Sequence, residues 1–207
     1  MKTNQNLLWA SLLCVPLLTN CGGSKEEEKK ETEVPVSAMG AMGAFKEMAA
    51  QAEEMQKNGP VKTVDFRDLK ELLPADVDGL NRKTASGEKA GAAGFAFSTA
   101  TGKYANADNT ETIELSLVDG GGSAMMMGLA AWSMIEIDKE TDDGYEKTST
   151  MGDYKSYEKY DNNDKRGEIA VLVNKRFIAT AKGRGISMDK LKSALEDVDL
   201  EKLGDLK

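Results

Sequence analysis

Histidine is absent from this sequence, and cysteine occurs only twice, at Cys14 and Cys21. Without an imidazole, the Ser-His-Asp and Cys-His modes of nucleophilic catalysis are excluded. The usual zinc ligand sets are excluded as well, along with the side chain most often used as a general base near neutral pH. Both cysteines sit in the N-terminal segment, so the rest of the chain forms no disulfide and carries no thiol. Long apolar runs are missing too: the two longest, Leu7 to Leu18 and Ala124 to Ile135, fall short of the roughly 20 residues a membrane-spanning helix needs. Positive charge is in deficit, with 27 basic against 35 acidic residues and a net charge of -8. Nucleic acid and anionic headgroups are repelled on average, because binding them rests on neutralising phosphates. A local basic patch remains compatible with that average. No nucleic-acid partner and no cofactor are expected.

What is present begins with an address. Residues 1–20 carry Lys2, an apolar stretch from Leu7 to Leu18 and no acidic residue, the layout of a secretory signal peptide. Leu18-Thr19-Asn20-Cys21 resembles the lipobox of bacterial lipoproteins, in which a leucine three places before a cysteine directs diacylglyceryl transfer and cleavage. Asn20 departs from the small residue usual before the cysteine. The resemblance implies that Cys21 is acylated and becomes the first residue of a membrane-anchored envelope protein, with its anchor in the outer membrane and the domain open to display at the cell surface. Each buried methylene of an acyl chain contributes about 0.8 kcal/mol, so two or three chains hold a soluble domain stably. Residues 21–37 read as an acidic, flexible tether: Gly22-Gly23-Ser24 leads into Glu26-Glu27-Glu28 and a Lys/Glu-rich stretch. The acidic cluster resembles the surface-export signal that some Gram-negative lineages place after the lipidated cysteine.

Over residues 38–58, Met42, Phe45, Met48, Ala49, Ala52 and Met55 recur at helical spacing between charged residues. That pattern predicts a Met-rich amphipathic helix ended by Asn58-Gly59-Pro60. Methionine adapts to irregular surfaces, which makes this helix a candidate docking element for a protein partner. Packing on the following domain is the alternative.

Residues 61–207 are expected to form one α+β domain, an antiparallel sheet with helices packed on one face in two layers. Asp65 caps a short helix through Leu73, stopped by Pro74. Phe95 and Phe97 mark a strand over residues 94–100, Thr101-Gly102 and residues 106–109 supply turns, and residues 112–118 alternate as a second strand. Ala124 to Ile135, opened by Ser123, reads as a helix apolar all round and therefore buried. Asp138 to Asp143 reads as an acidic loop. Two hairpins follow, one turning at Gly152-Asp153 and one at Asn174-Lys175. Ser187 and Asp189 open a terminal helix with Met188, Leu191, Leu195 and Val198 on one side, trailed by Leu200, Leu203 and Leu206.

Four features invite a chemical reading. Gly120-Gly121-Gly122, between strand and helix, presents backbone N–H groups suited to an anion, yet it lacks the sequence of a phosphate loop. A tight turn is the simpler account. Asp161 and Asn163, with Asn162, Asp164 and Glu168, carry oxygens suited to calcium but depart from the EF-hand pattern, as a polar hairpin loop would. Among the clustered tyrosines, Tyr154 and Tyr160 share one strand face as candidate ligand contacts, while Tyr157 points to the other. Lys182 and Arg184, between glycines, read as a small basic loop tip.

The expected function is that of a non-enzymatic binding or structural module on a lipid anchor. The alternative is a histidine-free, carboxylate-based hydrolase. A concave pocket holding two inward-facing carboxylates favours the enzyme, and a flat apolar patch beside the methionine helix favours the binding module.

Overall fold

The structure, a computed structural model, describes residues 62–92, 95–121 and 124–207. Cys21, the signal, the tether and the methionine helix lie outside the described residues. The chain opens with helix α1 (Phe66–Glu71), then runs through strands β1 (Asp76–Val77), β2 (Leu80–Ala92), β3 (Phe95–Ala105) and β4 (Thr112–Asp119). Helix α2 (Ala124–Leu129) and a 3-10 turn (Ala131–Met134) cross to β5 (Asp138–Thr141), and β6 (Gly144–Met151), β7 (Tyr154–Asp161), β8 (Arg166–Val173) and β9 (Phe177–Arg184) return. Helices α3 (Met188–Glu196) and α4 (Leu200–Asp205) close the chain.

All strands join one nine-stranded antiparallel sheet in the order β1-β2-β3-β4-β9-β8-β7-β6-β5. Two meanders therefore meet at the β4–β9 seam, where Leu115 faces Ala181 and Leu117 faces Ala179. Turn chemistry fixes both expected hairpins. Gly152 has φ 57°, and Asn174 and Lys175 have φ 50° and 55°, the left-handed backbone that tight hairpin turns require.

Alternation assigns the two faces. On β4, Ile113, Leu115 and Leu117 are buried, joined by Ile169, Val171 and Val173 of β8 and by Phe177, Ala179 and Ala181 of β9. Against this face pack Leu69 of α1, Leu191 and Leu195 of α3 and Leu203 of α4, all fully buried. Burying each such leucine is worth about 1.5–3 kcal/mol. Two helix starts are capped as their sequences predict, Asp65 accepting from Arg67 N and Ser187 from Lys190 N, and Asp199 caps a further helix by accepting from Lys202 N. Gly167 and Gly183 face one another across β8 and β9 beneath Leu191. A Cβ at either would stand 2.7 Å from a Leu191 methyl, so the bare backbone is what lets α3 sit so close.

The expectation that helices cover one face is corrected in one respect. The crossover lies on the opposite side of the sheet, where Met126 and Ala130 form a separate small cluster with Ala170 and Ile178, flanked by Val118, Trp132 and Leu172. These strand residues belong to the other alternation set, which is the physical reason a second layer forms there. The run from Ala124 to Ile135 is also not buried all round: Leu129 and Ile135 are about half exposed.

Asp119 ends β4 as a fully buried carboxylate. Arg176 grips it from two nitrogens, at 3.0 Å and 2.7 Å, and also donates to Lys62 O. The amides of Val64 and Gly121 donate to the same carboxylate at 2.8 Å each. The segment entering the domain, the β4 end and the β8–β9 hairpin are thereby fastened at one point.

Candidate ligand groove on the open sheet face

Among the described residues the crossover covers only part of its face, and the remainder is open. Cross-strand register builds a row of alternating charge over seven strands there: Lys139, Glu146, Lys159, Glu168, Lys182, Glu114 and Lys103, each opposite its neighbour. Lys182 pairs with Glu168 at 3.1 Å and Lys103 with Glu114 at 3.5 Å. Opposite charges so placed add roughly 0.2–1 kcal/mol per pair.

Two hollows share this row. The larger, about 740 Å³, runs toward the end of the sheet bearing Arg166 and Arg184. Its cationic side chains are Lys83, Lys103, Lys159, Arg166, Lys182 and Arg184, against the carboxylates of Glu114, Asp161 and Glu168. This local excess of positive charge stands on a chain whose net charge is -8. Arg166 and Arg184 are directly opposite one another. Among the described residues neither guanidinium lies within 4.0 Å of a carboxylate.

The smaller hollow, about 300 Å³, lies against the crossover and is bordered by Trp132, Tyr157, Leu129, Val118 and Ile178. Trp132 and Tyr157 have ring centroids 6.0 Å apart with planes tilted 36°. Lys155 Nζ donates to Ser133 O at 2.8 Å and pins the 3-10 turn to β7, which fixes the indole over the sheet. The Tyr157 phenol is pushed up to about 12, first by burial and then by the neighbouring Glu146 carboxylate and the negative charge of Glu168. It is therefore a hydrogen-bond donor throughout the neutral range. Glu114, Glu168 and Lys182 line both hollows, which therefore adjoin as two parts of one groove-like surface.

The residues singled out from sequence take other positions. Tyr154 and Tyr160 pack against the helix-covered core, and Tyr160 is committed to Ile186 O at 2.8 Å. Of the clustered tyrosines, Tyr157, on the far face as its alternation requires, reaches the groove. Gly120 and Gly121 form the strand-to-helix turn: Gly121 has φ 55° and its amide is taken by Asp119, while a Cβ on Gly120 would collide with Met126. Gly122 lies outside the described residues. Asp161 Oδ1 accepts from Asn163 N and Asp164 N, and Asn163 donates to Asp143, so these oxygens build a hairpin loop. No cluster of three metal-ligating residues occurs among the described residues. Lys182 and Arg184 are not a loop tip. Both lie on β9, facing the groove.

A second charged cluster sits beneath α3. Glu158, nearly fully buried, pairs with Lys192 at 3.1 Å and Lys147 at 3.8 Å and accepts from Tyr145 Oη at 3.4 Å. Burial, followed by the nearby Glu158 charge, pushes the Tyr145 phenol up to about 12. The cluster ties α3 to β6 and β7.

Comparison with protein-family models and with curated proteins finds no match to this chain.

Proposed function

We propose that the mature protein is a lipid-anchored envelope protein that uses the open sheet face to hold a ligand, with no chemistry performed on it. The observation that carries the binding half is the pair of adjoining hollows, one bordered by Arg166 and Arg184 and the other by Trp132 and Tyr157. Concave surfaces that join aromatic walls to a few convergent polar groups are the usual seats of ligands. The anchoring half is supported by Leu18-Thr19-Asn20-Cys21 after an apolar signal, with residues 21–37 as a tether, the acidic Glu26–Glu28 cluster as a surface-export signal and residues 38–58 as a docking helix. Metabolic labelling with an alkyne-bearing palmitate tests it. Wild-type protein takes the label and Cys21→Ala does not, and protease shaving of intact cells then reports surface display. An unlabelled wild-type protein, or a native chain still beginning at Met1, overturns the anchor.

A second reading has one specific observation in its favour. Glu114 and Glu168 face the same groove from strands on either side of β9, so their backbones stand about 10 Å apart. Inverting glycosidases hold their carboxyl groups about 6.5–9.5 Å apart. Binding is the preferred reading because both glutamates are substantially exposed and paired with lysines, whereas a catalytic acid is commonly desolvated. Turnover of a glycan that is abolished by both Glu114→Gln and Glu168→Gln would reverse that preference.

A further inference from the structure

We infer that the groove is a receptor for an acidic oligosaccharide, with Arg166 and Arg184 taking a carboxylate or phosphate and Trp132 with Tyr157 taking the face of a sugar ring. This rests on reading the open face as a ligand surface and names the ligand's class.

Charge complementarity carries the first half. Like charges directly opposite on neighbouring strands destabilise a sheet, yet Arg166 and Arg184 are so placed. Asp161 stands opposite Arg166 on the other side, but its Oδ1 is taken by the amides of Asn163 and Asp164, and among the described residues no carboxylate comes within 4.0 Å of either guanidinium. Two adjacent guanidinium forks match the geometry of carboxylate and phosphate oxygens. The aromatic end carries the second half, since an indole and a phenol joined to hydrogen-bonding neighbours suit a ring that is apolar on its face and polar at its rim.

The stretch between the two ends decides the class. Tyr157 shares a cross-strand row with Ala170 and Thr180, and Arg166 lies four residues along β8 from Ala170, about 13 Å away. The groove between them is lined by Glu114, Ser116, Glu168, Thr180 and Lys182. These donors and acceptors match hydroxyl groups, whereas an acyl chain laid there would strip water from the exposed Lys182–Glu168 and Lys103–Glu114 pairs. An acidic peptide added as a strand would need unpaired backbone, and the strands beneath the groove are paired on both sides.

The test uses the mature lipoprotein in neutral detergent micelles, titrated calorimetrically with hexagalacturonate, hyaluronan hexasaccharide and a phosphorylated mannose oligomer. Maltohexaose, polyglutamate and phosphatidylglycerol vesicles are the comparisons. At least one acidic saccharide binds, with affinity that falls as salt rises. The double variant Arg166→Gln with Arg184→Gln weakens it by about tenfold or more, and Tyr157→Ala weakens it about fivefold. Thermal melts of each variant establish that the fold is intact. Equal affinity for maltohexaose, or unchanged affinity in the arginine double variant, overturns the inference. Binding of polyglutamate or vesicles in place of the acidic saccharides overturns the ligand class and leaves the face as a ligand surface. Binding of none of the probes overturns both.

Discussion

Replacing Asp119 by alanine tests the point where three parts of the domain are fastened. The carboxylate is fully buried, Arg176 is about one-fifth exposed, and the two share a bidentate contact at 2.7 and 3.0 Å. Truncation strands a mostly buried guanidinium and removes the acceptor of the Val64 and Gly121 amides. Breaking a buried pair from one side costs about 3–5 kcal/mol, and each orphaned buried donor about 1–3 kcal/mol. These contributions overlap, because all of them act through one carboxylate. We expect a loss of about 4–5 kcal/mol, which for a domain of this size lowers Tm by roughly 8–20 °C. Urea unfolding followed by circular dichroism measures it, and a double-mutant cycle with Arg176→Met should return a coupling of about 2 kcal/mol or more. Hydrogen exchange supplies a local readout, since Val64 should lose protection before the core strands do. An Asp119→Ala variant melting within about 2 °C of wild type, a shift worth only about 1 kcal/mol, would refute the reasoning. So would strictly additive effects in the cycle.

Other expectations follow from the same packing and charge. Gly183→Ala places a methyl 2.5 Å from Ile186 and 2.7 Å from Leu191, so a loss of about 1–3 kcal/mol in denaturant unfolding is expected. Leu195→Ala in α3 should cost about 2–5 kcal/mol, with the depth of the cavity left behind setting the value. Alkaline titration followed by tyrosinate absorbance should be shifted upward relative to the urea-unfolded chain. The folded phenols of Tyr145 and Tyr157 ionise near about 12 and that of Tyr104 is also raised, chiefly by burial. A folded value above the unfolded one means stability is intact below pH about 10 and declines as pH climbs toward about 12. Coincident folded and unfolded titrations would contradict it. Glu146→Gln should lower the Tyr157 midpoint and leave that of Tyr145 unmoved.

Much of the fold was legible in residue order, for reasons that differ by element. β4 alternates strictly, both hairpin turns carry the residues their backbone demands, and α3 shows its buried side at helical spacing, so local chemistry sufficed. Strand β2 escaped notice because Leu80 to Ala92 is a run of small and polar residues without alternation. It is a strand because β3 offers eleven partners in register and because Gly87 leaves space for the ring of Phe66. Thr101-Gly102, which reads as a turn, lies within β3. The glycine there seats the ring of Tyr104, whose hydroxyl reaches Pro74 O at 2.8 Å. β5 was read as a loop since Asp138-Lys139-Glu140-Thr141 has no apolar side to bury.

The groove was harder to see. Its members come from six strands and the crossover, and only the register that brings β4 beside β9 places Arg166, Arg184, Glu114 and Trp132 on one surface. Tyr157 was separated from Tyr154 and Tyr160 by alternation alone. What alternation does not reveal is which side the helices cover.

The sheet also ends in a particular way on both flanks. β1 has two residues, and β5 is a fully exposed Asp-Lys-Glu-Thr strand. A broad sheet with long apolar margins would recruit neighbouring copies through unpaired amides and carbonyls. β1 covers β2 only at Leu80 and Asn81, so the rest of that margin is the outer side of β2, where Arg82, Lys83, Glu88 and Lys89 set charge along the strand. Charge along both margins opposes one copy extending the sheet of another.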